Sequence, residues 1–215
     1  MKDKYICPSL LSVAKEKRIE VADQLLKMGI KWIHYDIMDN KFVNNKAIEI
    51  EEYVEIIKST SSHLSDVHLM VKDPFIYAEE FKKYATCMTI HFEALTRDKI
   101  LEFVQKYQEL TWIGLAIKPG TSFEEIKDII HHFEVILVMS VEPGFGGQKF
   151  IDYSIDKIKL ISNFIKQNKL STLIQVDGGI NDLNAKKVFN SGANALVCGS
   201  YLINNLNEKT LKKLL

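Results

Sequence analysis

The stretch Trp32-Ile33-His34-Tyr35-Asp36-Ile37-Met38-Asp39 decides how this chain folds. Side chains of a strand alternate with period 2, so His34, Asp36 and Met38 share one face and Ile33, Tyr35 and Ile37 the other. The apolar face suits packing against helices, which leaves the mixed face pointing into an interior. Asp66-Val67-His68-Leu69-Met70-Val71 repeats the arrangement, with Asp66, His68 and Met70 together. A third stretch ends Ile174-Gln175-Val176-Asp177-Gly178-Gly179 and places Asp177 on the Gln175 face.

Working outward, eight short apolar runs rich in β-branched residues span the chain: Tyr5–Leu11, Trp32–Met38, Ser65–Val71, Cys87–Phe92, Trp112–Ile117, Val135–Ser140, Thr172–Val176 and Ala195–Cys198. Amphipathic patterns lie between them. Ile19, Ala22, Leu25 and Leu26 fall on one helical face ahead of Gly29, and Ile155, Ile158, Ile161 and Ile165 on another. A helix over Asn184–Asn190 is closed by Gly192, and Glu208–Leu215 reads as a short last helix. Strands alternating with helices across short loops imply parallel pairing and an α/β protein. Eight such units, about 27 residues each, predict a single (β/α)8 TIM barrel with residues 1–215 as one catalytic domain. A doubly wound open sheet would carry its glycine fingerprint after the first strand, and Leu10–Ala14 contains no glycine.

Composition narrows the partners. With 28 Lys+Arg against 28 Asp+Glu, the chain has no broad basic field for nucleic acid or an anionic membrane. At 47% hydrophobic it is not a disordered chain. No run approaches the roughly 18 apolar residues of a membrane helix, and Met1-Lys2-Asp3-Lys4 does not lead into a signal-peptide core. Cys7, Cys87 and Cys198 form no CxxC pair, so reduced thiols in the cytoplasm are expected. The expected partner is a small molecule, with homo-oligomers formed through the outer helices.

A barrel carries its active site at the C-terminal ends of its strands. His34, Asp36, His68 and Asp177 all belong there. A buried carboxylate needs a counter-charge; no Arg lies inside a strand to supply it, and Lys118, just past the fifth apolar run, is the nearest candidate. Two imidazoles and two carboxylates suit one divalent metal ion, and this donor set fits Zn²⁺, Fe²⁺, Mn²⁺ or Co²⁺ better than Mg²⁺ or Ca²⁺. Three neighbouring loops hold six of the ten glycines: Ser140–Gln148 with Gly144, Phe145, Gly146 and Gly147; Asp177–Ile180 with Gly178 and Gly179; and Gly199-Ser200. Glycine lets backbone N–H groups close around an anion, and loops after strands 7 and 8 commonly build a phosphate site, so a phosphorylated ligand is expected. His91 shares the inner alternation with Thr89 and is expected behind the site. His63, His131 and His132 are expected in solvent.

These motifs together closely resemble the ribulose-phosphate 3-epimerase family. The resemblance rests on Pro8-Ser9-Leu10-Leu11, on Ile33–Asp39 with Phe42-Val43 and Asn45, on Asp66–Val71, on Val138–Val141 with Pro143–Gln148, and on Val176–Ile180, and it runs through nearly the whole chain in order. It implies interconversion of D-ribulose 5-phosphate and D-xylulose 5-phosphate in the pentose phosphate pathway, with a bound divalent metal. It assigns His34, Asp36, His68 and Asp177 as metal ligands, and Asp36 and Asp177 also as the acid/base pair. Ser9 and His68 match substrate contacts. Gly144 to Gly147, Gly178, Gly179, Gly199 and Ser200 match the phosphate loops, and Met38, Met70 and Met139 match methionines around the substrate. Asn40, Asn44, Lys118 and Glu142 depart from the family pattern; Asn40 tolerates the left-handed turn that glycine usually makes there, and Lys118 and Glu142 could pair across the rim. The rival substrate is a six-carbon ketose phosphate such as allulose 6-phosphate. The rival chemistries are a Schiff-base aldolase using Lys118 and a non-catalytic sugar-phosphate binder.

Overall fold

The computed structural model describes residues 4–215, so Met1, Lys2 and Asp3 of the N-terminal reading lie outside the described residues. Its strands are β1 (Tyr5–Pro8), β2 (Trp32–Met38), β3 (Leu64–Met70), β4 (Cys87–His91), β5 (Trp112–Ile117), β6 (Val135–Met139), β7 (Leu173–Asp177) and β8 (Ala195–Cys198). They pair in parallel in the order β1-β8-β7-β6-β5-β4-β3-β2. A bridge between Ser9 and His34 brings the two sheet ends together and closes the (β/α)8 barrel. The helices are α1 (Arg18–Lys27), α2 (Ile50–Ser59), α3 (Pro74–Phe81), α4 (Arg97–Tyr107), α5 (Ser154–Gln167), α6 (Ala185–Asn190), α7 (Ser200–Ile203) and α8 (Glu208–Leu214). No helix among the described residues is long and apolar enough to cross a membrane.

Several boundaries differ from the sequence reading for identifiable reasons. β1 stops at Pro8 rather than Leu11, because the Ser9 hydroxyl accepts the Leu11 N–H at 3.1 Å and turns the chain. Between β5 and β6 the regular helix gives way to two 3-10 turns, Phe123–Glu125 and Ile130–His132. A reciprocal cap between Ser122 and Glu125 fixes the first of these. The helix expected over Asn184–Asn190 begins at Ala185, with Asn184 in the capping position.

The alternation in β2 and β3 places side chains as read. Ile33, Tyr35, Ile37, Val67 and Leu69 are buried in the cluster between sheet and helices. Complete burial of residues such as Ile33 and Leu69 contributes about 1.5–3 kcal/mol each. That burial offsets the cost of a polar inner face. Inside the barrel, Cys7, Trp32, Cys87, Val135 and Ala195 close the N-terminal end with apolar atoms, and Val197 of the same cluster reaches the cavity above them. The polar residues of β2, β3 and β7 therefore open only toward the C-terminal rim.

Candidate active site at the C-terminal rim

Parallel register sets the site. β2 and β3 pair His34 with Asp66, Asp36 with His68 and Met38 with Met70, so the two imidazoles and two carboxylates interlock across the strands. β7 reaches the same point from the other side. Its Asp177 lies opposite Met139 of β6. One donor atom from each of His34, Asp36, His68 and Asp177 lies within 4.8 Å of all the others. His34 Nε2 is 3.5 Å from Asp36 Oδ1 and 3.9 Å from Asp177 Oδ2. His68 Nδ1 is 3.6 Å and 3.8 Å from the same two oxygens.

Hydrogen bonds fix the rings. His34 Nδ1 lies 2.7 Å from Asp66 Oδ2, which can only accept, so Nδ1 carries a proton. Asp66 Oδ2 also accepts from Gln175 Nε2 at 2.6 Å. His34 Nε2 and His68 Nδ1 are fully buried, aimed at the two carboxylates, and have no hydrogen-bond partner. Buried nitrogens are rarely left in this state, since each orphan costs about 1–3 kcal/mol. Two orphans facing two carboxylates are what a metal ion would satisfy. Donor separations of 3.5–3.9 Å approach the roughly 3.3–3.6 Å edge of a tetrahedron with bonds of 2.0–2.2 Å. The residues present therefore fit a divalent ion.

The electrostatics split the two carboxylates. Burial pushes Asp36 up, but His34 and His68 outweigh it and hold Asp36 well below the usual carboxylate range. Burial, offset in part by His34 and reinforced by the Asp36 charge, pushes Asp177 up to about 6. Burial opposes a charge on His34, yet Asp66 and Asp36 hold its imidazole well above the usual range. An ion held by His34 Nε2 would take the place of the proton that these carboxylates favour there. Among the described residues, the ion-pair partners of Asp36 and Asp177 are these histidines, not Lys118. The Lys118 ammonium sits instead 4.3 Å from the centre of the Phe42 ring, and among the described residues it forms no ion pair with Glu142. That placement also removes the basis for Lys118 as a Schiff-base nucleophile pointing at the reacting centre.

A cavity of about 480 Å³ opens above the cluster, with Asp36 and Asp177 in its lining. Ser9 donates its hydroxyl proton to Asp36 Oδ2 at 2.6 Å. Met38, Met70 and Met139 form an apolar side of the same cavity. The opposite end is lined by Gly144 to Gly147, Gly178, Gly179, Gly199 and Ser200, so the three glycine loops meet in one place. The N–H groups of Gly146, Gly147, Gly178 and Gly179 take no partner within the described residues. Asn40 adopts φ +56, as its left-handed turn requires. Asn45 next to that turn donates to the Gly144 carbonyl at 2.7 Å, tying the β2 loop to the glycine loop.

Sequence reading missed four participants. Ser12 lines the anion end and shares a 2.8 Å hydrogen bond with Ser200. Asp66 and Gln175 were visible as inward-facing, but their bond spans 109 residues and needed the barrel to bring it about. Glu93 follows β4 and meets His91, which lies behind His68 as expected. His63 is a correction: it is half-buried at the barrel's other end, within 2.7 Å of the Tyr35 hydroxyl, because Tyr35 points outward from β2 toward it.

The barrel and its rim define an enzyme of the (β/α)8 class, with a glycine-lined end and a carboxylate pair at a metal-competent centre. The chain belongs to the ribulose-phosphate 3-epimerase family: the family model so described matches residues 5–203. Curated relatives agree. The ribulose-phosphate 3-epimerase of Chlamydia muridarum is 37% identical over 96% of this chain and 92% of its own. The cytoplasmic isoform of Oryza sativa subsp. japonica is 36% identical over 91% of this chain and 85% of its own. The Mycobacterium bovis enzyme is 33% identical over 91% and 84%. Among solved structures, a 3-hexulose-6-phosphate synthase superposes with a TM-score of 0.69 over 100% of this chain and 98% of its own, at 14% identity. That likeness reports the barrel alone.

Proposed function

We propose that this chain is a ribulose-phosphate 3-epimerase that interconverts D-ribulose 5-phosphate and D-xylulose 5-phosphate. The observation that carries the reading is the Asp36–Asp177 pair, set on β2 and β7 in one cavity lining with environments that push their protonation in opposite directions. Inverting carbon 3 requires one group to take a proton and another to return one to the opposite face. Asp36, held well below the usual carboxylate range, suits the group that takes the proton, and Asp177, raised to about 6 and therefore the more readily protonated of the two, suits the group that returns one; the roles exchange for the reverse reaction. Ser9 holds the Asp36 carboxylate in place through its 2.6 Å hydrogen bond.

In this reading His34, Asp36, His68 and Asp177 hold one Zn²⁺, Fe²⁺, Mn²⁺ or Co²⁺ ion, which supplies Lewis-acid stabilisation of the charge that develops next to carbon 3. The backbone N–H groups of Gly144 to Gly147, Gly178, Gly179, Gly199 and Ser200 hold the phosphate, so binding energy at that end fixes carbon 3 between the carboxylates. Met38, Met70 and Met139 exclude water and offer no acid that could protonate the wrong atom. The protein works as one catalytic domain, a cytoplasmic homo-oligomer whose three buried cysteines are free thiols.

Turnover of the five-carbon and six-carbon ketose phosphates, measured side by side in D₂O, tests this. The expected result is faster turnover of D-ribulose 5-phosphate, with one deuterium entering the product at carbon 3. Chelation should abolish the activity and one of the four ions restore it. Preference for the six-carbon sugar, or epimerisation without exchange at carbon 3, would overturn the assignment.

A further inference from the structure

Behind His68 runs a buried chain that does not line the cavity and meets the four-residue cluster through His68 Nε2. His68 Nε2 lies 2.8 Å from His91 Nε2, and the two rings stack with centroids 4.9 Å apart. His91 Nδ1 lies 3.1 Å from Glu93 Oε2. The other Glu93 oxygen accepts the Lys118 N–H at 2.8 Å and the Thr121 hydroxyl. Both imidazoles are fully buried, and neither His91 nor Glu93 lines the cavity.

With His91 neutral, one arrangement of protons satisfies every member. A carboxylate accepts and cannot donate, so His91 carries its proton on Nδ1. A neutral His91 then has a bare Nε2, which can only accept. The proton in the 2.8 Å gap therefore belongs to His68 Nε2. His68 Nδ1, the buried nitrogen without a partner, is left with its lone pair facing Asp36 and Asp177. His34 reaches the same outcome in one step, through Asp66.

We propose that Glu93 is a positioning residue for the metal centre: acting through His91, it sets the tautomer of His68 and so keeps His68 Nδ1 free to bind the ion. The inference rests on the metal reading above, and it accounts for a carboxylate placed beyond the site and anchored to the start of the loop after β5. Ligand histidines are commonly oriented by a carboxylate on their second nitrogen; here an imidazole is interposed, so the carboxylate acts from two residues away.

Glu93→Gln tests it with almost no change in shape. The remaining oxygen stays with its two donors, Lys118 N–H and the Thr121 hydroxyl, and the new NH₂ group faces His91 Nδ1. His91 must then move its proton to Nε2, and His68 must carry its own on Nδ1, toward the ion. Long-range ¹H–¹⁵N spectra of the metal-free protein should show His91 protonated on Nδ1 in the wild type and on Nε2 in Glu93→Gln. Competition with a chromogenic chelator should show Zn²⁺ held about ten- to a hundredfold more weakly by the variant. A wild-type His91 protonated on Nε2, or on both nitrogens, overturns the proposal even if the variant does not fold. Equal Zn²⁺ affinity in the two proteins also overturns it. Wild-type protein that takes up no divalent ion while showing the expected His91 proton would instead refute the metal reading, so the two failures are distinguishable.

Discussion

Asp177→Asn lowers turnover by roughly three orders of magnitude while leaving the fold intact. Asn keeps the shape and one oxygen for a metal, but it cannot accept a proton from carbon 3 or deliver one. Loss of a positioned acid–base group typically costs about 10²–10⁴ in rate, or about 3–5 kcal/mol of transition-state stabilisation at 1.36 kcal/mol per tenfold. Asp177 lines the cavity and is the one lining carboxylate carried by β6, β7 or β8 themselves; Glu142, the other lining carboxylate on this side, belongs to the loop after β6 beside Pro143 and Gly144. The sharper readout is isotopic. With Asp36 as the remaining base, the variant should exchange deuterium from D₂O into carbon 3 of one epimer far faster than it forms the other. Asp36→Asn should show the converse, exchanging only the opposite epimer. Adding the two substitutions together should cost little more than either alone, because the pair acts as a unit. A metal-replete Asp177→Asn protein with full turnover, or equal exchange into both epimers, would remove Asp177 from the chemistry.

The parts of this site that were legible in the sequence are those governed by local periodicity. The alternation in Trp32–Met38 and Leu64–Met70 is enough to turn His34, Asp36, His68 and Asp66 inward, because no core of this size would accept Ile33, Tyr35, Ile37, Val67 and Leu69 on the inside and these four outside. Glycine content marked the loops that meet at one end of the cavity for a similarly local reason. Register was not legible. Nothing in either strand says that His34 stands beside Asp66, or that Gln175 reaches Asp66 across the barrel, so the proton on His34 Nδ1 could not be assigned. Lys118 was misplaced for the same kind of reason. Its position after β5 was clear, but the Phe42 ring that draws its ammonium away comes from the loop after β2. The missing helix between β5 and β6 was not legible either: Ile126, Ile129, Ile130 and Phe133 are buried at i, i+3, i+4 and i+7, a helical face, but the backbone holds them in turns and 3-10 geometry. Burial of these four residues suffices to cover that side of the sheet.

Gly179→Ala should damage both stability and substrate binding. The backbone at Gly179 has φ +65, a left-handed conformation that costs an ordinary residue about 1–2 kcal/mol. The space is also taken. A Cβ there would stand 2.4 Å from Phe150 N, 2.8 Å from Phe150 Cα and 2.9 Å from Gln148 O. All three are backbone atoms and none can swing aside, so the loop after β6 must move as a body. Forcing extra volume into a packed site adds about 1–3 kcal/mol, giving a total on the order of 2–5 kcal/mol. For a chain of this length that lowers the melting temperature by roughly 5–15 °C. The loop that has to shift carries Gln148, which donates to the carbonyls of Glu142 and Phe145 at 2.7 and 2.9 Å and so holds the Gly144–Gly147 turn in shape. Displacing it spreads the unpaired N–H groups of Gly146 and Gly147, which the proposed function assigns to the phosphate. The expected signature is a KM for the sugar phosphate raised by at least tenfold, with inorganic phosphate losing its ability to compete. Gly147→Ala supplies the contrast: its nearest neighbour is a flexible one, Ser200 Oγ at 3.9 Å, so it should bear only the conformational cost at φ +76. A Gly179→Ala protein that melts with the wild type and keeps its KM would show that the three glycine loops do not act as one anion site.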